Sequence, residues 1–593
     1  MSLITIPTML PNKGYILNKP EEMLLEQYSP YSRNMEFYNE SIQGRTGLIK
    51  FDPAVLSGPI LRIDQYWKFS YVWWLMVMTT KDVYSYDFAA KRYDILTPVY
   101  TTGTIEIHVG DKNVVHGSGT LWLANLKAGD FIKIGSGSIH TGSTWYEILT
   151  VDSDTQITLT TDAVTTAAST AYVGRQCFTG NSINYWSSIT FQDSAKGETW
   201  IGTNGKDTPV YWNGSGQVKL LTGLATGFTT SKYVTTYKNR VLFAWNVEGG
   251  QNQPQRERWS DVGNCCSWPD INFHDFIDED TWITGTCNFN DYHIVFKEYE
   301  AYVGRHVGGD YIFEYEKSTT CVGAKSFQSI VPKQDYIFYF GRDNEFHRWN
   351  LLRDDSISSQ ILPETRDFDP NKEEYVYGWD AIVRHQIRWH CARSGASYNN
   401  YTVVYDYIND VLQVWEYQSP QALCSIGEYL NIADLYVDDA TWGEYYVDEQ
   451  DDYWDSRYFL SNAIIVIYGG YDGVIRTADV GYDDDGVNYN RIFRSARMNY
   501  GKPDYFKRLW KQEFWLEDGL ANDTVDVKVR KDDNTQWEIL TKNISLYSTS
   551  KDIVKKMVEW NKEARDFQIE ISSENHFALL GWINLLFLKR RVK

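Results

Sequence analysis

The chain has 593 residues and a formal net charge of −21. That balance excludes a protein that grips nucleic acid, because phosphate binding is led by Lys and Arg, but it does not exclude nucleic acid sliding past an acidic wall. Aromatic residues make up 16% of the chain, with 43 Tyr and 23 Trp, a usage that favours pleated, half-buried surfaces over long helices.

The start, MSLITIPTMLPNKGYILNKPEE, has no basic segment followed by an apolar one, so no signal peptide is expected. PEEMLLEQY at 20–28 is expected to be helical, within a lead-in segment over 1–50. The most apolar stretch, YVWWLMVM at 71–78, is far shorter than the roughly 20 residues that a membrane helix needs. It opens instead a pattern of apolar strand, turn and aromatic strand. The pattern recurs at 71–87, 199–216, 239–251, 288–304, 335–350, 401–417 and 462–479, about seven times. In each copy a buried inner strand is expected to pair with a more polar outer one. A lone hairpin is marginal in water, and radial repetition buries its faces against neighbours, which predicts a β-propeller over 51–101 and 176–490. The alternative is a run of unrelated hairpins in a β-sandwich.

The repeat is interrupted at 102–175 by a Thr- and Gly-rich, strictly alternating stretch, read as an inserted small β-barrel or sandwich. From 491 to 593 the pattern changes to strands at 508–519, 523–534, 565–575 and 576–591 joined by polar turns, a C-terminal β-sandwich. TSKDIVKKMVEWNKEA at 549–564 reads as a helix or an extended crossover. The predicted class is all-β. In the hairpin at 288–304, Phe296 is expected to be buried, and Lys297 and Glu298 to lie in a tolerant turn.

No H-E-x-x-H, G-x-S-x-G or G-x-x-x-x-G-K-[ST] spacing occurs, nor the S-x-D-x-G-x-x-W repeat of sialidase propellers. GSGSIHTG at 135–142 lies between strands and has no helix to hold a phosphate. No carboxylate pair stands out, so the expectation is a non-enzyme with no catalytic residues, no metal site and no cofactor. Alternating Trp and Tyr within strands are read as core, not as sugar platforms. The seven cysteines contain no C-x-x-C pair, and Cys265 and Cys266 are adjacent. All are read as reduced packing residues.

The acidic segments 434–455 and 482–486 read either as solvated loops or as the wall of a DNA passage. On the second reading the lining carboxylates are Asp434, Asp438, Asp439, Glu444, Asp448, Glu449, Asp451, Asp452, Asp483, Asp484 and Asp485.

Three stretches carry a resemblance. Arg33-Asn34 begins a strand and Arg45 to Gly47 ends one. Ser260-Asp261 and Ser267-Trp268-Pro269 precede a hairpin ending at Phe296 to Glu298. This order, with the C-terminal sandwich, resembles the tail nozzle, or tail tubular protein B-like, proteins of short-tailed bacteriophages. The adjacent cysteines and the acidic 434–455 stretch depart from that pattern. The resemblance implies a virion structural protein assembled in the bacterial cytoplasm: a ring, sixfold in symmetry, around the path of genome ejection. The implied partners are other copies of the chain, a tail adaptor protein, and tail fibre or plug proteins. DNA passes without specific binding, and no membrane is entered. The alternatives are a receptor-binding or carbohydrate-recognising tail protein, and a neck or head-to-tail joining protein.

Overall fold

The computed structural model describes residues 3–8, 13–38, 41–68, 72–309, 311–418, 420–430, 464–501, 503–517, 523–532, 535–547 and 553–591. Seven four-stranded antiparallel sheets follow one another along the chain. Their first strands are Ile60–Trp67, Ser187–Asp193, Phe228–Tyr237, Ile283–Phe289, Val331–Pro332, Tyr377–Ala381 and Ser425–Leu430. Each first strand touches the first strand of the next sheet, and that of the seventh touches that of the first, so the ring closes. This is a seven-bladed β-propeller. Blades meet closely at its centre: a Cβ on Gly427 would lie 2.9 Å from the Cβ of Ile63 in the neighbouring blade.

All seven sequence repeats fall on blades, but they mark the middle or outer strands rather than the inner ones. In blade one the repeat is Trp73–Thr79 with Val83–Asp87, and in blade six it is Tyr401–Asp406 with Val411–Glu416. The reason is physical. A middle strand is covered on both faces by adjacent blades and so becomes almost wholly apolar, whereas an inner strand carries polar groups toward the axis. Between blades, Phe296 packs edge-on to Trp349 and near Tyr339 of blade five.

Between the last strand of blade one, Arg92–Ile95, and the first of blade two lies an eight-stranded sheet that runs from Val99–Tyr100 to Tyr172–Arg175. It does not form a closed barrel. It has its own core, centred on Trp122, whose indole N–H donates to the Tyr172 hydroxyl (2.9 Å).

The chain ends in two packed sheets. One contains Tyr505–Glu517, Ile553–Ala564 and Ala578–Arg591, joined by Leu3–Thr8, Met35–Tyr38 and Ser41–Gly44 from the start of the chain. The other contains Arg491–Arg494, Thr524–Lys531, Glu538–Ser545 and Phe567–Ser573, joined by Tyr31–Arg33. The lead-in is therefore woven through the terminal sandwich. Its next strand, Leu48–Lys50, then becomes the outermost strand of blade seven by pairing with Ile475–Ala478.

The expected helix at 20–28 is absent, and of the two readings of 549–564 the extended one holds over the described residues. Residues 20–28 hold one short turn, Glu21–Met23. Residues Ile553–Ala564 form a strand. Its β-branched Ile553, Val554 and Val558 suit a pleated sheet. The exposed apolar residues Ile553 and Met557 give the misleading spacing, and a bulge interrupts the strand where Leu509 and Lys511 face Lys562 and Glu559 and Asn561 turns to φ +51°.

The ring is locked to the sandwich at Arg45. Its guanidinium is fully buried and bonds both oxygens of Asp484 (2.8 and 3.0 Å), the Glu416 carbonyl (2.9 Å) and Asn34 Oδ1 (3.2 Å). It is sandwiched between the rings of Tyr417 and Tyr489. Gly47 lets the two strands meet, since a Cβ there would lie 1.9 Å from the Asp483 carbonyl oxygen. Removing one partner of such a buried pair costs about 3–5 kcal/mol, so Asp484→Ala is expected to lower the unfolding free energy by that amount in a denaturant titration.

Lys297 departs from its expected place in a tolerant turn. It is fully buried, and its Nζ donates to the Phe276 (2.9 Å) and Glu279 (3.0 Å) carbonyls and lies 3.4 Å from Glu300. Phe296→Ala is expected to cost about 3–5 kcal/mol as a core truncation. Lys297→Ala is expected to cost more than 1 kcal/mol, because it leaves the Phe276 and Glu279 carbonyls without their buried donor. Glu298→Ala is expected to stay within about 0.5 kcal/mol. Chemical denaturation of the three variants separates these outcomes.

Candidate functional site

The first strands of blades two to five all begin on one face of the ring. The segments leading into them, with turns of the same blades, enclose a cleft of about 710 Å³. Blade three supplies Thr230, Lys232 and Tyr233 from its first strand, Trp245 from its second and Asn252 from its third. Trp282 and Thr284 enter blade four. Lys325 to Gln328 precede blade five, whose turn adds Arg342, and Glu373 to Tyr375 precede blade six.

Two indoles form the apolar part of the cleft. Trp282 is 49% exposed and meets Trp245 edge-on, with ring centroids 5.7 Å apart. Trp245 is held at φ +57°, a backbone conformation that bulky residues rarely adopt, where the pairing register of its strand shifts. Its N–H donates to Asn252 Oδ1 (2.7 Å), and Lys232 Nζ lies 4.2 Å above its ring. Strain of this kind persists where the surroundings over-determine it, and it clusters at binding sites. Around the indoles stand the carboxylates Glu298, Glu373 and Glu374 and the cations Lys206, Lys325 and Arg342. Lys325 pairs with Glu373. An exposed aromatic platform ringed by amides, carboxylates and cations suits a flat ligand that is apolar on its faces and hydrogen-bonding at its edges.

A second, smaller pocket of about 250 Å³ lies between inner strands of blades one, two, six and seven. It is lined by Asp64, Ser188, Trp200, Trp379 and Glu428. Asp64 pairs with Arg62 (2.9 Å) and accepts from Ser188. Glu428 Oε2 and the indole nitrogen of Trp200 have no hydrogen-bond partner among the described residues. Burial pushes the Glu428 carboxyl up to about 7, and Asp380 adds to the effect. The pocket thus sets a carboxyl that is able to keep its proton near neutrality beside an ion-paired carboxylate.

Of the carboxylates read from the sequence as passage-lining, Asp434, Asp438, Asp439, Glu444, Asp448, Glu449, Asp451 and Asp452 lie outside the described residues. Asp484 does not line a passage. It has no exposed side-chain surface, because its charge neutralises Arg45. Asp485 is committed to Arg476 (2.5 Å). Asp483 is half-exposed, and its carboxylate accepts from the Gly486 N–H (2.7 Å) while its carbonyl accepts from the Leu48 N–H (2.9 Å). These three serve the closing strand. The sequence reading missed Trp282, whose signal is its place in the acidic turn DEDTW, outside any alternating strand.

No protein-family model matches the chain, and no curated protein does. Among solved structures it is similar to the WD40 domain of Neurospora crassa Pan2 (8% identity, 73% of this chain and 94% of that one, TM-score 0.25). An exo-β-1,3-galactanase from Phanerochaete chrysosporium is similar at 8% identity over 67% of this chain and 99% of that one (TM-score 0.21). The phage phi92 endosialidase is similar at 12% identity over 45% of this chain and half of that one (TM-score 0.17). Scores this low assign no activity. Glycoside hydrolases stand among the similar structures, and the expectation of a non-enzyme is withdrawn.

A raised carboxyl pKa makes the folded state bind a proton that the unfolded chain releases, so the stability it contributes is present below the ordinary value of 4.5 and is lost as pH rises through about 7. Glu428→Gln is therefore expected to flatten the fall in melting temperature between pH 4.5 and 7. An unchanged slope would mean that Glu428 is charged throughout.

Proposed function

We propose that this chain is a glycan-recognising component of a bacteriophage tail, with the propeller-face cleft as its binding surface. The observation that carries the reading is the pair Trp245 and Trp282, a strained indole supporting a half-exposed one in a cleft of about 710 Å³ bordered by carboxylates, cations and amides. Sugar rings present apolar faces and hydroxylated edges, which that surface matches. The assignment to a phage tail rests on the resemblance of the Arg33-Asn34, Arg45 to Gly47 and Ser267-Trp268-Pro269 segments to tail proteins. The net charge of −21 favours a second reading: a ring of copies around passing DNA, with an adaptor above and fibres or a plug below.

Two measurements separate the readings. Calorimetric titration with capsular and lipopolysaccharide O-chain glycans is expected to give binding that Trp282→Ala weakens at least tenfold, about 1.4 kcal/mol or more, with the melting temperature unchanged. Released sugars in the same mixtures would add catalysis to recognition. Failure of the intact chain to bind any glycan would overturn the first reading. A mass in solution corresponding to six copies, with a central opening in images, would favour the second.

A further inference from the structure

The adjacent cysteines stand apart from both readings. We propose that Cys265 and Cys266 form a vicinal dithiol site for thiophilic electrophiles, with Cys266 as the attacking sulfur and Cys265 as the second ligand. They lie in the connection between the last two strands of blade three, Gln251–Trp259 and Phe273–Asp275. Their Sγ atoms are 3.8 Å apart. Six of the seven cysteines are buried, and Cys266 is half-buried. A thiol reagent therefore meets Cys266 first.

The pair is held in place. The Cys265 N–H donates to Asp193 Oδ2 (2.9 Å), and its carbonyl accepts from the Trp268 indole (2.7 Å). The Cys266 N–H donates to Asn264 Oδ1 (2.9 Å). The contact with Cys265, with help from Thr222 and Lys196, lowers the Cys266 thiol below its usual value despite partial burial. The Cys265 thiol itself is pushed up, first by Cys266 and then by burial. Lys196, which acts on Cys266, lies 3.7 Å from Asp193, the carboxylate that holds the Cys265 N–H. The division of labour follows from exposure: Cys266 is reached first, and buried Cys265 lies behind it as the second sulfur.

Geometry selects the class of ligand. The two Cα atoms are consecutive across a trans peptide and so are about 3.8 Å apart. That is closer than the roughly 4.4–6.8 Å that disulfides favour, so direct S–S bonding would strain the backbone. An atom larger than carbon inserted between the sulfurs bridges them without closing that gap. A hydrated trivalent aryl arsenical, R–As(OH)₂, illustrates the step. The Cys266 thiolate attacks arsenic and displaces hydroxide, which takes up the proton that Cys266 had released. Cys265 then displaces the second hydroxide, and its own proton goes to that leaving group. Two As–O bonds break, two As–S bonds form, two waters leave and no electrons are transferred. Soft divalent metal ions would be held by the same two sulfurs.

The full-length protein treated with phenylarsine oxide under native conditions tests this. Mass spectrometry is expected to show one arsenical per chain with loss of two titratable thiols, retained against excess monothiol and released by ethanedithiol. Cys266→Ser is expected to abolish the adduct. Cys265→Ser is expected to leave an adduct that monothiol removes. Alkylation of Cys266 by iodoacetamide should have its pH midpoint well below the usual thiol value of 9, and Lys196→Ala should shift it upward. Should Cys265→Ser disturb folding, the Cys266→Ser variant and the alkylation profile decide. An intact protein that takes up no arsenical, or an adduct that persists in Cys266→Ser, would overturn the proposal.

Discussion

The architecture depends on one buried ion pair. A propeller must close, and here closure is made by a strand from the start of the chain, Leu48–Lys50, laid against Ile475–Ala478. A three-residue strand contributes few ladder bonds, so its position must be fixed by something else. Arg45 and Asp484 do this from the two sides of the join, together with Asn34, Tyr417 and Tyr489. Two desolvated charges are tolerated because the carboxylate is bound by both guanidinium arms and also accepts from the Gln418 N–H (3.0 Å). The same arginine is the last residue before the chain leaves the sandwich for the ring. One interaction thus closes the propeller and sets the sandwich against it.

That constraint explains why the resemblance motifs were visible at all. Arg33-Asn34 and Arg45 to Gly47 are not surface decorations. Asn34 sits at φ +57°, and its Oδ1 accepts both from Arg45 and from the Glu416 N–H (2.7 Å). Arg33 joins Glu364, to which Tyr15 (2.9 Å) and Arg393 (2.6 Å) also bond, tying the lead-in to blade six. Residues placed under so many simultaneous demands leave a readable signature. A reading that stops at the signature says where the chain is pinned, not what it binds.

The legibility of the rest follows burial. Middle strands of blades face neighbours on both sides, so composition announces many of them, and each of the seven blades had at least one that was readable from sequence. Inner strands such as Ser187–Asp193 mix Ser, Thr, Gln and Asp, because some of their side chains face the axis, and they were not readable. The paired roles of Lys297 and Asp484 were invisible for a related reason. A charged residue in a turn-like stretch reads as solvated, and only the long-range fold reveals the carbonyls or the guanidinium that neutralise it. Trp282 failed in the opposite direction. In a chain so rich in core tryptophans, one that stays half in water is hidden by its companions.

The cleft and the axial pocket divide the ring's polar groups in a consistent way. Side chains that hold the blades in register have found partners: Ser188 bonds Asp64, Lys333 bonds Asp380 (2.7 Å), and Arg388 bonds Asp479 (2.9 Å). The axial pocket differs, in that Glu428 Oε2 and the Trp200 indole nitrogen line one small volume without a hydrogen-bond partner among the described residues. Leaving such groups unpaired costs about 1–3 kcal/mol each, which gives water or a ligand reason to occupy that volume. The broad cleft differs in kind, since its cost is carried by backbone strain at Trp245 and by exposure of Trp282. A rigid ring supplies what both need. Because each blade is braced by two neighbours and closure is fixed at Arg45, neither the strained indole nor the partly protonated carboxyl can relax by moving its strand.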